Sequence, residues 1–223
     1  MIRVNPSFPS NPRLILPRVY ALTDVGLSGL SHAEQVELLS AGGAMLVQLR
    51  EKGMPAREFY EQAKAAVDVA VRRGVRLIVN DRVDVALAVG AHGVHLGQDD
   101  MPPEAARRLL GPEAVIGYST HNIDQAIAAT KLPIDYLAIG PIFATTSKSD
   151  TAPVLGLDGL RIVRQAIGTF PLVAIGGISH ANAHEVITAG ADSVAVISAL
   201  LSDPARITEA TRHLTLESQS RQT

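Results

Sequence analysis

The chain of 223 residues contains no cysteine, so a disulfide framework, a thiolate nucleophile and a cysteine metal site are all excluded. An excess of charge of one sign is missing too, since 20 Lys and Arg stand against 22 Asp and Glu, a formal net charge of -2. No global field recruits nucleic acid or an anionic membrane, and any positive site has to be local. No apolar run approaches the roughly 20 residues of a membrane span, and the N-terminus lacks the apolar core of a signal peptide. These absences predict a cytoplasmic, soluble protein with neither nucleic acid nor membrane as a partner. What is present is a hydrophobic fraction of 47%, enough to bury a substantial core.

β-Branched apolar runs alternate with longer segments of helical period, the pattern of parallel strands joined by crossover helices. The spacing predicts eight strands, over residues 18–22, 44–49, 76–80, 93–96, 114–118, 136–140, 172–175 and 193–197. Helices are predicted over 32–40, 55–73, 102–110, 123–130, 157–167 and 181–188, with Ser31, Asn122 and Ser179 as caps. Glycine after a helix, as in Ala41-Gly42, Val89-Gly90-Ala91 and Ala189-Gly190-Ala191, supplies the stop before the next strand. Eight such units in this length match a single-domain (β/α)8 TIM barrel, with a doubly wound open sheet as the other option. Against the open sheet, no Gly-x-Gly-x-x-Gly follows the first strand and no Pro/Gly/Ser-rich linker divides the chain. Residues 1–16 read as an extended lead-in, 17–216 as the barrel and 217–223 as a frayed tail.

In a barrel the active site lies at the carboxyl ends of the strands, so each strand end is a test. The second strand ends in Gln48-Leu49-Arg50-Glu51-Lys52, and a period of two puts Gln48, Arg50 and Lys52 on one face. Unpaired cations there call for an anion, or else Arg50 and Lys52 are solvated and merely end a strand. The third strand runs into Asn80-Asp81, the fourth into Gly97-Gln98-Asp99-Asp100 and the fifth into Ser119-Thr120-His121. Asp81 and Asp100 suit a Mg2+ held by two carboxylates and substrate phosphate oxygens; capping of the following helices and acid–base catalysis are the alternatives.

The sixth unit ends at Gly140-Pro141-Ile142-Phe143 and continues through Ala144-Thr145-Thr146-Ser147-Lys148 in a loop reaching Gly156. Its hydroxyls and backbone N–H groups suit a phosphate cradle beneath a mobile lysine, or an ordinary surface loop rich in Ser and Thr. Gly176-Gly177-Ile178-Ser179 and Ile197-Ser198 fall where many barrels bind phosphate, and Gly176 and Gly177 equally suit a tight turn of positive φ. His95 and His121 fall near the mouth, but Ser119 and His121 have no evident third member of a triad. His32, His92, His180, His184 and His213 show no metal-ligand spacing and read as surface or helix-start residues.

Taken in order, Gln48-Leu49-Arg50-Glu51-Lys52, Asn80-Asp81, the run from His95 to Asp100, Ser119-Thr120-His121-Asn122, Gly140-Pro141-Ile142-Phe143, Lys148, Gly176-Gly177-Ile178 and Ile197-Ser198 closely resemble the thiamine phosphate synthase family. The resemblance runs from about Pro17 to about His213. It implies a transferase that joins hydroxymethylpyrimidine diphosphate to a thiazole phosphate, with Mg2+ as cofactor, releasing pyrophosphate. Its partners would be these small molecules, and a homo-oligomer stays open. Position by position, the resemblance assigns the pyrimidine diphosphate to Gln48, Arg50, Lys52, Asn80, Ser119 and Lys148; Leu49 and Glu51 belong to the same substrate-binding stretch, with Glu51 on the opposite face of the strand as a structural residue. Arg50, Lys52, Ser119 and Lys148 would be catalytic, and Asp81 and Asp100 would hold the Mg2+. Thr145, Thr146 and Ser147 would contact the thiazole, and Gly177, Ile197 and Ser198 would complete its phosphate site. The family commonly reads Pro-Thr-Ser-Thr-Lys where this chain has Ala144-Thr145-Thr146-Ser147-Lys148.

Charge gathers on the diphosphate as its bond to carbon breaks, and preorganised cations stabilise it more than they stabilise the ground state. The aminopyrimidine can delocalise the positive charge left on its methylene, so a dissociative step needs no protein nucleophile, and none is evident. Other readings are a thiazole tautomerase, which would not need the diphosphate and metal groups, a sugar-phosphate isomerase, which would need a poised acid and base, and a silent phosphate-binding regulator.

Overall fold

The computed structural model describes residues 14–145 and 153–219. Eight parallel strands close into one barrel in the order of the chain, β1-β2-β3-β4-β5-β6-β7-β8, with β8 paired back onto β1. They are β1 (Val19–Leu22), β2 (Leu46–Leu49), β3 (Arg76–Asn80), β4 (Gly93–Leu96), β5 (Val115–Thr120), β6 (Tyr136–Ile139), β7 (Leu172–Ile175) and β8 (Ser193–Val196). Every residue of β1, β2, β4, β6 and β8 is buried. That is the signature of strands covered by helices on one face and by interior side chains on the other. It also explains why their sequences are apolar runs without clean alternation.

The helices are α1 (Val25–Ser28), α2 (His32–Ala41), α3 (Ala56–Arg73), α4 (Val83–Val89), α5 (Pro103–Leu110), α6 (Ile123–Ala129), α7 (Gly156–Ile167), α8 (Ala183–Thr188), α9 (Ser198–Leu201) and α10 (Ile207–Gln219). Ser31 starts α2 with a capping box closed by Glu34, and Asn122 caps α6 by accepting from Gln125 N. No helix among the described residues is long and apolar enough to cross a membrane.

Four local expectations are corrected. Strand β5 continues to Thr120, so Ser119 is a strand residue rather than part of a loop. Helix α4 lies where no helix is predicted, because Val83-Asp84-Val85-Ala86-Leu87-Ala88-Val89 is β-branched and alternating, a local preference that packing on the barrel overrides. Ser179 does not cap α8; the helix begins at Ala183, and Ser179 N donates instead to Asn182 Oδ1 at 2.8 Å. The expected frayed tail from residue 217 is helical through Gln219 as the end of α10, an element not predicted at all. Ile207, Thr211 and Leu214 of α10 are fully buried, and a methyl on Gly42 would come within 2.5 Å of Thr211 Cβ, so this helix packs directly on the end of α2. The end of the lead-in also belongs to the barrel, since Leu14 and Leu16 pack against its core.

Candidate active site

The carboxyl ends of the strands gather the residues singled out in sequence around one mouth, in two halves. In the first half, β2 delivers Gln48 buried at 3% exposure, and Arg50 follows as β2 ends, with Lys52 exposed beyond it. The expectation that Arg50 lacks an anion is corrected here. Its Nη1 lies 3.3 Å from Asp24 Oδ2, and the same carboxylate group caps α1 by accepting from Leu27 N through Oδ1. Asp24 stands after β1, the strand that pairs with β2, so barrel closure brings the two charges together. One carboxylate balances Arg50, leaving Lys52 to face solvent.

Glu51 is turned away from this group. Its Oε1 accepts from Lys52 N at 2.8 Å and Gly53 N at 3.0 Å, and its Oε2 lies 3.8 Å from His32 Nε2. His32, expected at the surface or a helix start, does start α2 but is fully buried. Thr23 Oγ1 donates to the Gln48 carbonyl at 3.2 Å, which leaves it to accept from His32 Nδ1 at 2.7 Å. Burial pushes the His32 imidazole down to about 4, against a smaller upward pull from Glu51 and Asp24. His92 is likewise held at about 4, by burial first and then by Arg76.

Asn80 ends β3 almost fully buried, and Asp81 follows in the left-handed region with φ of 61°, the only such non-glycine among the described residues. Asp tolerates this conformation better than most residues, at a strain of about 1 kcal/mol. Asp81 N donates to the His95 carbonyl at 2.8 Å, which ties the end of β3 to β4. Asp100 turns back on its own loop, where Oδ2 accepts from Gly97 N at 2.6 Å. Neither aspartate caps a helix: α4 is preceded by Arg82 and α5 by Pro102. Among the described residues no three acidic or histidine side chains cluster as a metal cage. Two carboxylates after neighbouring strands are hard oxygen donors of the number Mg2+ takes when waters and phosphate oxygens complete its shell, so these residues fit that ion.

On β5, Ser119 Oγ lies 2.8 Å from His95 Nε2. The serine thus has a histidine, but it is His95 rather than His121, whose Nδ1 donates to the Gly140 carbonyl at 2.8 Å. The other nitrogen of His95 meets the Tyr136 hydroxyl at 3.0 Å. A hydrolase triad would put a carboxylate there to stabilise the imidazolium, and a neutral phenol does not. Tyr20 and Tyr136 were not predicted as site residues. The signal available was their position, at strand residues whose parity matches Gln48 and His95.

The second half of the mouth is built from backbone. Gly176 and Gly177 both have positive φ, 102° and 65°. A methyl on Gly177 would sit 2.7 Å from the Ala144 carbonyl oxygen and from Phe143 Cβ, so the close approach the glycines permit is that of the β6 loop. Asn182 holds the turn by donating to the Gly177 carbonyl at 3.0 Å. Thr145, Gly177, Ser179 and Ser198 line a cavity of about 850 Å3 that extends towards His180 and Arg206. Ile197 precedes α9 with 9% exposure, and Ser198 opens that helix. Thr146, Ser147 and Lys148 lie outside the described residues.

Comparison with known proteins identifies the family. Residues 19–200 match the family model described as thiamine monophosphate synthase. A thiamine-phosphate synthase from Chloroflexus aurantiacus is 54% identical over 186 residues, covering 83% of this chain and 85% of the relative. One from Albidiferax ferrireducens is 52% identical over 189 residues, covering 84% and 86%. Among solved structures, a thiamine phosphate pyrophosphorylase from Pyrococcus furiosus superposes with a TM-score of 0.80 at 40% identity, covering 91% of this chain and 97% of its own. An eight-stranded barrel with a polar half-mouth opposite a glycine-built one, and relatives this similar over most of both chains, together make this chain a member of the thiamine monophosphate synthase family.

Proposed function

We propose that this protein condenses hydroxymethylpyrimidine diphosphate with a thiazole phosphate, carboxylated or not, to give thiamine phosphate and pyrophosphate. It is a transferase of thiamine biosynthesis, and a cytoplasmic setting belongs to the same proposal. The observation that carries the reading is the division of the mouth. Gln48, Arg50, Asn80, Asp81, Asp100 and Ser119 occupy the ends of β2 to β5, opposite a cavity of about 850 Å3 lined by Thr145, Gly177 and Ser198 at the ends of β6 to β8. One side supplies charge for a diphosphate, and the other supplies small side chains and backbone at the strand ends for a phosphate ester, in a cavity that continues outward past Arg206 to Glu209 and His213 of α10.

In this reading Arg50 and Lys52 bind the diphosphate, joined by Lys148 as the resemblance assigns it. Arg50 is the group best placed to act on the leaving oxygen. Its side chain is about nine-tenths buried, and the Asp24 contact fixes its direction before substrate arrives. The cations strengthen their hold as charge moves onto the leaving group, which lowers the barrier rather than merely tightening binding. Asp81 and Asp100 would hold Mg2+, which when bound neutralises charge on the diphosphate oxygens. Gln48 and Ser119 orient the pyrimidine so that its methylene faces the thiazole nitrogen across the mouth. The pyrimidine carries the developing cation itself, so no protein nucleophile is required. Gly177, Ile197 and Ser198 seat the thiazole phosphate, and Thr145, Thr146 and Ser147 contact its ring.

The test is direct. Purified protein incubated with both substrates and Mg2+ should release thiamine phosphate and pyrophosphate in equal amounts, and a chelator should stop it. Release of neither product, with the protein folded, overturns the reading in favour of a phosphate-binding regulator or an isomerase.

A further inference from the structure

Five polar side chains from five strands form one hydrogen-bonded chain through the barrel interior. Gln48 Nε2 donates to the Tyr20 hydroxyl at 3.0 Å, and the Tyr20 and Tyr136 hydroxyls are 2.9 Å apart. Tyr136 meets His95 Nδ1 at 3.0 Å, and His95 Nε2 meets Ser119 Oγ at 2.8 Å. Strands β1 and β6 are not neighbours, nor are β4 and β6, so the chain crosses the interior rather than running round the wall. Its two ends, Gln48 and Ser119, open on the mouth. Its middle members, Tyr20 and Tyr136, are 1% and 0% exposed and take no part in the reaction as derived above.

Such a chain has a direction. An amide nitrogen only donates, so the Tyr20 oxygen accepts from Gln48 and its own proton needs another acceptor. At full burial that acceptor is the Tyr136 oxygen, since an orphaned interior hydroxyl is costly. Tyr136 then donates to His95 Nδ1, which makes Nε2 the protonated nitrogen, and Nε2 donates to Ser119 Oγ. The serine proton is thereby turned outward, and the amide oxygen of Gln48 is left as the acceptor at the other end. Burial pushes both phenols well above their ordinary range, so they stay O–H donors. The barrel also makes room for the arrangement. A methyl on Gly117 would lie 2.1 Å from Tyr136 Cζ and 2.5 Å from His95 Nδ1, and the His95 ring stacks on Tyr136 with centroids 5.5 Å apart.

We propose that Tyr20, Tyr136 and His95 are positioning residues that lock Gln48 Oε1 as an acceptor and the Ser119 hydroxyl as a donor, and so select an amino-substituted pyrimidine over an oxo-substituted one. This inference rests on the reaction proposed above. The amino group donates to Gln48 Oε1, and a ring nitrogen accepts from Ser119. An oxo group in the same place would set acceptor against acceptor. Accommodating it would require the Gln48 amide to turn over and all four bonds to reverse together, so discrimination at the mouth is enforced by groups that never touch the ligand.

The experiment compares kcat/KM for the 4-amino and 4-oxo pyrimidine diphosphates in the wild type and in Tyr136→Phe, which cuts the chain at its centre. Gln48 and the His95–Ser119 pair then turn independently. The preference for the amino substrate should narrow on the order of tenfold or more, while KM for the thiazole phosphate changes less than about twofold. An unchanged preference overturns the proposal. Should Y136F fail to fold, Y20F cuts the chain one link nearer Gln48 and is read by the same ratio. Independently of turnover, 15N NMR of histidine in the substrate-free wild type should find His95 protonated at Nε2; protonation at Nδ1 overturns the proposed direction. If the wild type couples neither substrate to the thiazole phosphate, giving no thiamine phosphate from the amino compound and no 4-oxo analogue from the other, the reaction reading falls, and the NMR result alone decides the order of the protons.

Discussion

In the proposed reaction the two halves of the mouth solve the same problem, holding phosphate at the end of a barrel, with different materials. From β2 to β5 the work is done by long polar side chains, each fixed by another side chain or a loop: Gln48 by Tyr20, Arg50 by Asp24, Ser119 by His95 and Asp100 by Gly97 N–H. From β6 to β8 it is done by backbone and small residues, with Gly176 and Gly177 in left-handed conformations and the β6 loop packed against them. Charge that must be stabilised more in the transition state than in the ground state calls for groups aimed in advance. A phosphate that only has to be seated can be met by backbone amides and hydroxyls, which carry no desolvation cost of a buried ion.

The contrast can be broken from either side. Arg50→Ala should have the largest effect, a loss of about 10^2- to 10^3-fold in kcat/KM for the pyrimidine diphosphate, corresponding to about 3–4 kcal/mol, with KM for the thiazole phosphate little changed. Steady-state kinetics with each substrate varied in turn check it, and equal damage to both substrates would erase the division. Next comes acid sensitivity on the β2 to β4 side. His32 and His92 are held at about 4, below the ordinary 6.5, so the unfolded chain binds protons that the folded one refuses. Stability is therefore full above pH 6.5 and is lost as pH falls towards 4, by up to about 3 kcal/mol for His32. Urea unfolding at pH 7 and pH 5 should show the loss, and His32→Gln should flatten it.

Gly177→Ala tests the backbone half. Its φ of 65° and the contact 2.7 Å from the Ala144 oxygen should cost about 1–2 kcal/mol, and should raise KM for the thiazole phosphate by about tenfold without moving KM for the pyrimidine diphosphate. Asp24→Asn should have the smallest effect. The amide keeps the cap on α1 but weakens the contact that aims Arg50, so kcat/KM for the pyrimidine diphosphate should fall a few-fold, about 0.5–1 kcal/mol, in steady-state kinetics.

The strand ends were legible because a parallel barrel strand is an apolar run and its polar residues collect where it stops; Gln48, Asn80 and the turn at Gly176 stand out for that reason. Helix α4 was not, because Val83 to Val89 has the composition of a strand and becomes helical only through packing on β3 and β4. The pairing of Arg50 with Asp24 was also hidden. Their separation of 26 residues carries no local signal, and the two meet because β1 and β2 lie side by side.

The order and polarity of the strand ends determined the barrel, its single mouth and the family to which the chain belongs, since burial on both faces leaves polar residues no other place in such strands. The tertiary structure alone decided what those residues touch. Tyr20 and Tyr136 are 116 residues apart on strands that never pair, and only closure of the sheet brings their hydroxyls to 2.9 Å. Periodicity states which face of a strand a side chain occupies, but contact across an interior depends on the curvature and closure of the whole sheet, which no local pattern encodes.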